Sequence, residues 1–166
     1  MNRSAATVTI NHPIPPLYDK NSKILILGSF PSVKSREQAF FYGHPRNRFW
    51  RVVSAVFGCE LPVTIDEKKH FLHSNRIALW DVIASCEITG SQDSSIKNAV
   101  PNDLSVILNN AEIEKIFLNG KTAMKYFDKY IKNTLSTEAV CLPSTSPANA
   151  AQTLDRLIEE WSVIRL

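Results

Sequence analysis

Residues 23–28, Lys-Ile-Leu-Ile-Leu-Gly, constrain this chain more than any other stretch. An unbroken apolar run that ends on glycine reads as a strand buried on both faces, and such a strand needs a parallel sheet covered by a layer on each side. The remaining chain offers the pieces. Apolar runs over 76–83, 115–118 and 137–142 predict three further strands. Helices are predicted over 48–57, with Phe49, Val52, Val53 and Val56 on one face before Gly58, and more weakly over 65–73. Another opens at Pro101-Asn102-Asp103, one runs over 121–132 after the Asn119-Gly120 turn, and a strongly amphipathic one runs over 150–164 with Leu154, Leu157, Ile158 and Trp161 in register. The polar residues 85–98 read as loop, and residues 1–22 as an irregular arm, because Pro13, Pro15 and Pro16 oppose helix and sheet. Strands alternating with helices give an α/β class: a three-layer α/β/α sandwich around a central, mainly parallel four-stranded sheet, formed by one domain over 23–166.

Composition narrows the function. At 166 residues, 44% hydrophobic and 21% charged, the chain suits one ordinary globular domain rather than a disordered one. No apolar run approaches the ~20 residues of a membrane span. Met1-Asn2-Arg3-Ser4-Ala5-Ala6-Thr7 carries no apolar leader core, so a cytoplasmic location is expected. Cys59, Cys86 and Cys141 are too scattered for a disulfide framework or a C-x-x-C site, so neither metal nor cofactor is expected. The net charge is only +3, but residues 28–51 hold Lys34, Arg36, Arg46, Arg48 and Arg51 against Glu37, a local +4, while the rest sums to −1. A basic cluster of this kind attracts a polyanion.

In parallel sheets, sites form outside the carboxyl ends of the strands. Two motifs stand there. Gly28-Ser29-Phe30-Pro31-Ser32 follows the first strand and leads to Phe40-Phe41-Tyr42-Gly43-His44-Pro45-Arg46-Asn47-Arg48-Phe49-Trp50. Pro143-Ser144-Thr145-Ser146-Pro147-Ala148-Asn149-Ala150 follows the fourth. The first block holds aromatics that can stack on a base, arginines that can reach phosphates, and an amide and an imidazole that can hydrogen-bond. The second is a stiff polar turn before a helix whose free N–H groups favour an anion. Structural readings stand beside these. Asn47 suits an N-cap, Asn149 with Gln152 suits a capping box, His44 suits a hydrogen-bonded loop, and Phe41 and Tyr42 suit a core.

The first block, with Gly28-Ser-Phe-Pro-Ser32 and Gly43-His-Pro-Arg-Asn-Arg-Phe-Trp50, resembles the first motif region of the uracil-DNA glycosylase superfamily, and Ser144-Thr-Ser-Pro-Ala-Asn149 resembles its second. One departure stands out: Phe30 occupies the loop position where the superfamily usually carries a catalytic Asn or Asp. The combination is most similar to the hypoxanthine-DNA glycosylase branch, in which the catalytic asparagine lies in the His-Pro-Arg-Asn segment, here Asn47.

The resemblance implies a monofunctional, monomeric enzyme that binds damaged DNA, flips a deaminated base, most simply hypoxanthine, and hydrolyses its glycosidic bond without metal or cofactor. Asn47 would orient the water with its carbonyl and favour the cationic sugar electrostatically, and His44 or the Ser29 and Phe30 amides would meet the departing base. Tyr42 would stack on that base, Phe30 would line the floor with Gly28 and Pro31, and Asp81 would accept from its N1–H. Ser144, Thr145, Ser146, Pro147 and Asn149 would press on the nucleotide, and Arg46 and Arg48 would hold phosphates. Uracil or mismatch excision, and a non-catalytic damage-binding module, are the alternatives.

Overall fold

The computed structural model describes residues 8–166. The segment Met1 to Thr7, read for a leader above, lies outside the described residues. In chain order the elements are β1 (Val8–Asn11), β2 (Ile24–Gly28), α1 (Val33–Gln38), α2 (Phe49–Val56), α3 (Ile65–Ser74), β3 (Ile77–Asp81), β4 (Ile83–Ile88), β5 (Lys97–Pro101), α4 (Ser105–Leu108), β6 (Lys115–Asn119), α5 (Lys121–Tyr130), β7 (Ala139–Leu142) and α6 (Leu154–Trp161).

The four strands predicted from apolar runs form one parallel sheet in the order β3-β2-β6-β7. β2 is buried along its whole length, as its unbroken apolar run requires. Its side chains alternate between two cores. Ile24 and Ile26 pack with Phe49, Val52, Val53, Phe71, Leu157 and Trp161 from α2, α3 and α6. Leu25 and Leu27 pack with Ile107, Ala123 and Phe127 from α4 and α5, and with Ile83, Cys86 and Ile88 of β4. The sheet thus lies between two layers. α3 begins in a capping box: Thr64 Oγ1 accepts from Glu67 N–H and the Glu67 carboxylate from Thr64 N–H. Among the described residues no helix is long and apolar enough to cross a membrane.

A second sheet corrects the sequence reading. β1, β4 and β5 form an antiparallel sheet in the order β1-β4-β5, where an irregular arm and a polar loop were expected. Its signal is masked because only Ile83, Cys86 and Ile88 of β4 turn fully inward, because β4 and β5 pair with register shifts, and because Asn98 adopts φ +51°. The predicted strand over 76–83 divides at Val82. There the Gly28 and Ser29 carbonyls accept from Val82 and Ile83 N–H (2.8 and 3.1 Å) and hand the chain to the second sheet. α1, absent from the helices expected above, starts on Ser32, whose Oγ accepts from Ser35 N–H. α4 is a single turn. α6 starts at Leu154 on a Thr153 cap, so the polar turn after β7 does not run directly into a helix N-terminus.

Candidate active site

Strand β2 pairs with β3 on one side and β6 on the other, so its carboxyl end is a point where chain crossings diverge and leave a crevice. A cavity of about 850 Å³ opens there. Its lining includes Gly28, Ser29, Phe30, Pro31, Tyr42, His44, Asn47 and Asp81 from one side, and Ser144, Thr145, Ser146, Pro147 and Asn149 from the other. The two motifs, nearly 100 residues apart in sequence, share one cleft. Gly120, at φ +98°, lets the loops meet: a Cβ there would lie 3.0 Å from Ser144 Cβ.

One hydrogen-bond chain ties the motifs together. Asn47 Oδ1 accepts from Thr145 Oγ1–H at 2.8 Å and from Phe49 N–H at 2.9 Å. Thr145 Oγ1 in turn accepts from Asn119 Nδ2 at 3.0 Å, and Asn119 Oδ1 accepts from Thr145 N–H at 3.0 Å. Thr145 is fully buried. With Oδ1 doubly occupied, the spare hydrogen-bonding capacity of the Asn47 amide lies mainly in its two Nδ2 protons. His44 Nδ1 accepts from Arg46 N–H at 3.1 Å, which places the proton of a neutral ring on Nε2 and makes that atom a donor.

The floor is closely built. Phe30 is buried, edge-on to His12 at 5.8 Å, with the Arg36 guanidinium 5.7 Å above its ring. Tyr42 stacks on Phe49 with centroids 3.9 Å apart. Its backbone adopts φ +52°, and its hydroxyl is buried without a hydrogen-bond partner. Burial first, and then the negative charge of Asp81, raise the phenol pKa, with the Asn119 amide opposing, so Tyr42 is a neutral donor. Asp81 is buried and bonded through Oδ2 to His12 Nε2 at 2.7 Å. Asp93 stands at the exposed mouth but turns a carboxylate oxygen inward onto Ser29 Oγ–H at 2.9 Å. Desolvation of that carboxylate raises its pKa, the Ser29 bond opposes this, and Asp81 adds to the rise.

The Arg48 guanidinium spends three of its five N–H donors inside the chain: Nη1 donates to the Gln152 carbonyl, and Nη2 donates to the Ser146 and Asn149 carbonyls at 3.1 and 3.0 Å. It clamps the second loop, while its backbone N–H holds the Thr145 carbonyl at 3.1 Å. Arg46 stays exposed and free of the cleft lining. Asn149 and Gln152 form no capping box. Asn149 Nδ2 instead braces the loop on the Ser144 carbonyl at 3.0 Å.

The uracil DNA glycosylase superfamily profile matches residues 15–163. The chain belongs to the uracil-DNA glycosylase superfamily. It is 37% identical to a hypoxanthine DNA glycosylase of Methanosarcina acetivorans over 93% of this chain and 98% of that one. It is 34% identical to a hypoxanthine DNA glycosylase of Methanosarcina barkeri, over 81% and 85% of the two chains. A solution structure from Methanosarcina acetivorans, described as a candidate uracil DNA glycosylase, superposes with a TM-score of 0.80 at 34% identity, covering 95% of this chain and 98% of that one. The chain is therefore a DNA glycosylase, a hydrolase of N-glycosyl bonds.

In this glycosylase, three residues of the site escaped the sequence reading. Asn119 ends β6, a position the carboxyl-end rule does indicate, but Asn-Gly also reads as a plain turn. Asp93 lies in the stretch taken for loop. His12 lies in the arm and carries no local signal. Among the described residues no group of three or more His, Cys, Asp or Glu side chains is placed to hold a metal ion, and Cys59, Cys86 and Cys141 are free thiols.

Proposed function

We propose that this glycosylase is a monofunctional, monomeric enzyme that releases hypoxanthine from deoxyinosine in DNA. The observation that carries the reading is the placement of Asn47 inside the cleft, bonded to Thr145 of the second motif, while Phe30 makes the first loop apolar. The relatives named as hypoxanthine DNA glycosylases support the choice of base.

Phosphate contacts by Arg46 and its neighbours bring the duplex in without regard to sequence. Flipping costs a few kcal/mol, least for a mispaired nucleotide such as inosine opposite thymine. In the cleft the base lies over Phe30 and against Tyr42. Bond cleavage builds positive charge on the sugar and negative charge on the base. An amide is not basic enough to deprotonate water. Because Oδ1 is engaged twice, Asn47 works through Nδ2 rather than through its carbonyl. One N–H donates to one lone pair of the water and leaves the other free for C1′; as the O–C1′ bond forms and the C1′–N9 bond breaks, the water's proton passes to solvent and the released base anion takes one up from solvent. The Nε2–H of His44 meets the departing base, and Asp81 accepts from its N1–H.

The test is a panel of duplexes with single deoxyinosine, uracil and mismatch lesions, each treated with hot alkali after incubation. Excision is expected at deoxyinosine, with strand breakage only after alkali. Asn47→Ala should keep DNA binding and lose about 10²–10³ in rate, the usual cost of one preorganised polar group. Uncut deoxyinosine refutes the reading. Lys121, an exposed amine at the rim, makes the monofunctional part testable too: borohydride should trap no covalent enzyme–DNA adduct.

A further inference from the structure

The arm delivers a histidine behind the floor of the cleft, against Asp81 and Phe30. β1 pairs Asn11 with Ser85, and the next residue, His12, donates its backbone N–H to the Ala84 carbonyl at 2.7 Å. The His12 side chain is 3% exposed. Its Nδ1 accepts from Ile14 N–H at 3.2 Å, so the ring proton sits on Nε2 and is donated to Asp81 Oδ2. Phe30 and Trp80 pack edge-on against the ring at 5.8 and 6.3 Å and restrict its rotation.

Asp81 is left with one carboxylate oxygen. Oδ1 lies so close to Gly28 that a Cβ there would come within 2.4 Å of it. The same Cβ would come within 3.2 Å of the Tyr42 hydroxyl, the buried group without a partner. A buried donor left unpaired costs about 1–3 kcal/mol, and an active site is where such a cost is met by a ligand. An acceptor and a donor thus flank a residue without a side chain. A 6-oxopurine presents the complementary pair on adjacent atoms, N1–H and C6=O.

We propose that His12 is a positioning residue that sets base specificity: by claiming Oδ2, it fixes Asp81 so that Oδ1 meets the N1–H of a flipped 6-oxopurine. Adenine carries a lone pair at N1 and is repelled there, so the contact separates deaminated adenine from adenine itself. The inference rests on the deoxyinosine reading above, and extends it to a residue from outside the parallel sheet.

The experiment measures binding to duplexes bearing an uncleavable 2′-fluoroarabino nucleotide whose base is hypoxanthine or purine, the latter lacking both N1–H and O6, beside an unmodified duplex. Wild type should prefer hypoxanthine over purine by about tenfold or more, the scale of a hydrogen bond to a charged group. His12→Leu should bring that ratio to within about twofold of unity and leave affinity for the unmodified duplex unchanged. His12→Gln, which offers an N–H at a similar reach, should restore the preference. Asp81→Asn supplies a second arm that does not alter His12. The His12 N–H would claim the amide oxygen, turn the NH2 toward the base, and shift the preference to purine. A His12→Leu ratio equal to wild type, an equal loss on all three duplexes, or an Asp81→Asn protein that still prefers hypoxanthine overturns the proposal. Failure of the deoxyinosine reading shows separately, as no hypoxanthine released from an ordinary deoxyinosine duplex by wild type.

Discussion

Thr145→Val tests the link between the two motifs. Valine has nearly the shape of threonine, so the fully buried site is not emptied, and the backbone bonds to Asn119 Oδ1 and from Arg48 N–H remain. Only the hydroxyl is lost. That removes the acceptor for Asn119 Nδ2 and one of the two donors to Asn47 Oδ1. A buried polar group stripped of its partner costs about 1–3 kcal/mol. Asn47 and Asn119 are each half-buried, so water recovers part of this and the net loss should be about 1–2 kcal/mol. For a chain of this size that lowers the melting temperature by about 2–8 °C. The effect on rate should be larger. Asn47 keeps only the Phe49 bond and gains freedom to turn its amide away, and misplacement of a catalytic group by about 1 Å costs up to about 10²-fold. Single-turnover excision from a deoxyinosine duplex should therefore fall by about 10- to 100-fold, and Thr145→Ser should restore both quantities. A Thr145→Val protein that melts several degrees lower yet excises within about twofold of wild type refutes the idea that the second motif positions Asn47.

The two arginines should separate in salt titrations followed by fluorescence anisotropy: Arg46→Ala should lower the slope of log K against log salt by about 0.9, one phosphate's worth, whereas Arg48→Met should leave it unchanged. Arg48→Met should instead reduce stability by about 1–3 kcal/mol, because three loop carbonyls lose a charged donor. Asp93 gives a pH signature. Its folded pKa is raised above the ordinary 3.8, so the folded protein binds this proton more tightly than the unfolded chain, and the group's contribution to stability falls as pH rises from about 3.8 through the folded value. Asp93→Asn should lack that fall, so its melting temperature should gain on wild type across that window. Parallel curves count against the assignment.

The parallel sheet was legible because β2, β3, β6 and β7 are apolar enough to be unambiguous, and the site's location followed from the carboxyl-end rule. The small sheet was not legible. β1 is mostly exposed, and β4 turns only Ile83, Cys86 and Ile88 into a core shared with α5, an uneven spacing broken by polar residues, so neither shows a pattern that separates strand from loop. Arg48 shows a further limit. In sequence, an arginine beside an amide in a basic stretch reads as a phosphate ligand. Its role as a clamp depends on carbonyls about 100 residues away, which no local pattern announces. His12 is hidden for the same reason: its partner Asp81 is 69 residues distant.

Asn47 is not the N-cap of α2, which falls on Arg48 without a side-chain cap. Standing one residue earlier, its Oδ1 accepts from Phe49 N–H, one of the orphan donors in the first turn of α2, and so still serves the helix start. That bond, with the one from Thr145, fixes the side chain before any substrate arrives. The rotamer entropy is lost on folding rather than in the transition state. Asn47→Asp separates the two functions. A carboxylate oxygen accepts from Phe49 N–H and Thr145 Oγ1–H as well as an amide oxygen does, so stability should change by no more than about 0.5 kcal/mol in denaturant titrations. It carries no N–H, so the water loses its donor and excision should fall by about 10² or more. If Asn47→Asp excises deoxyinosine at close to the wild-type rate, an acceptor suffices at this position, and the assignment of the amide nitrogen to the water must be abandoned in favour of the oxygen. Phe30 makes the stakes plain. With an apolar ring packed against His12 in the first loop, that residue supplies no polar atom to hold the nucleophile from the opposite wall.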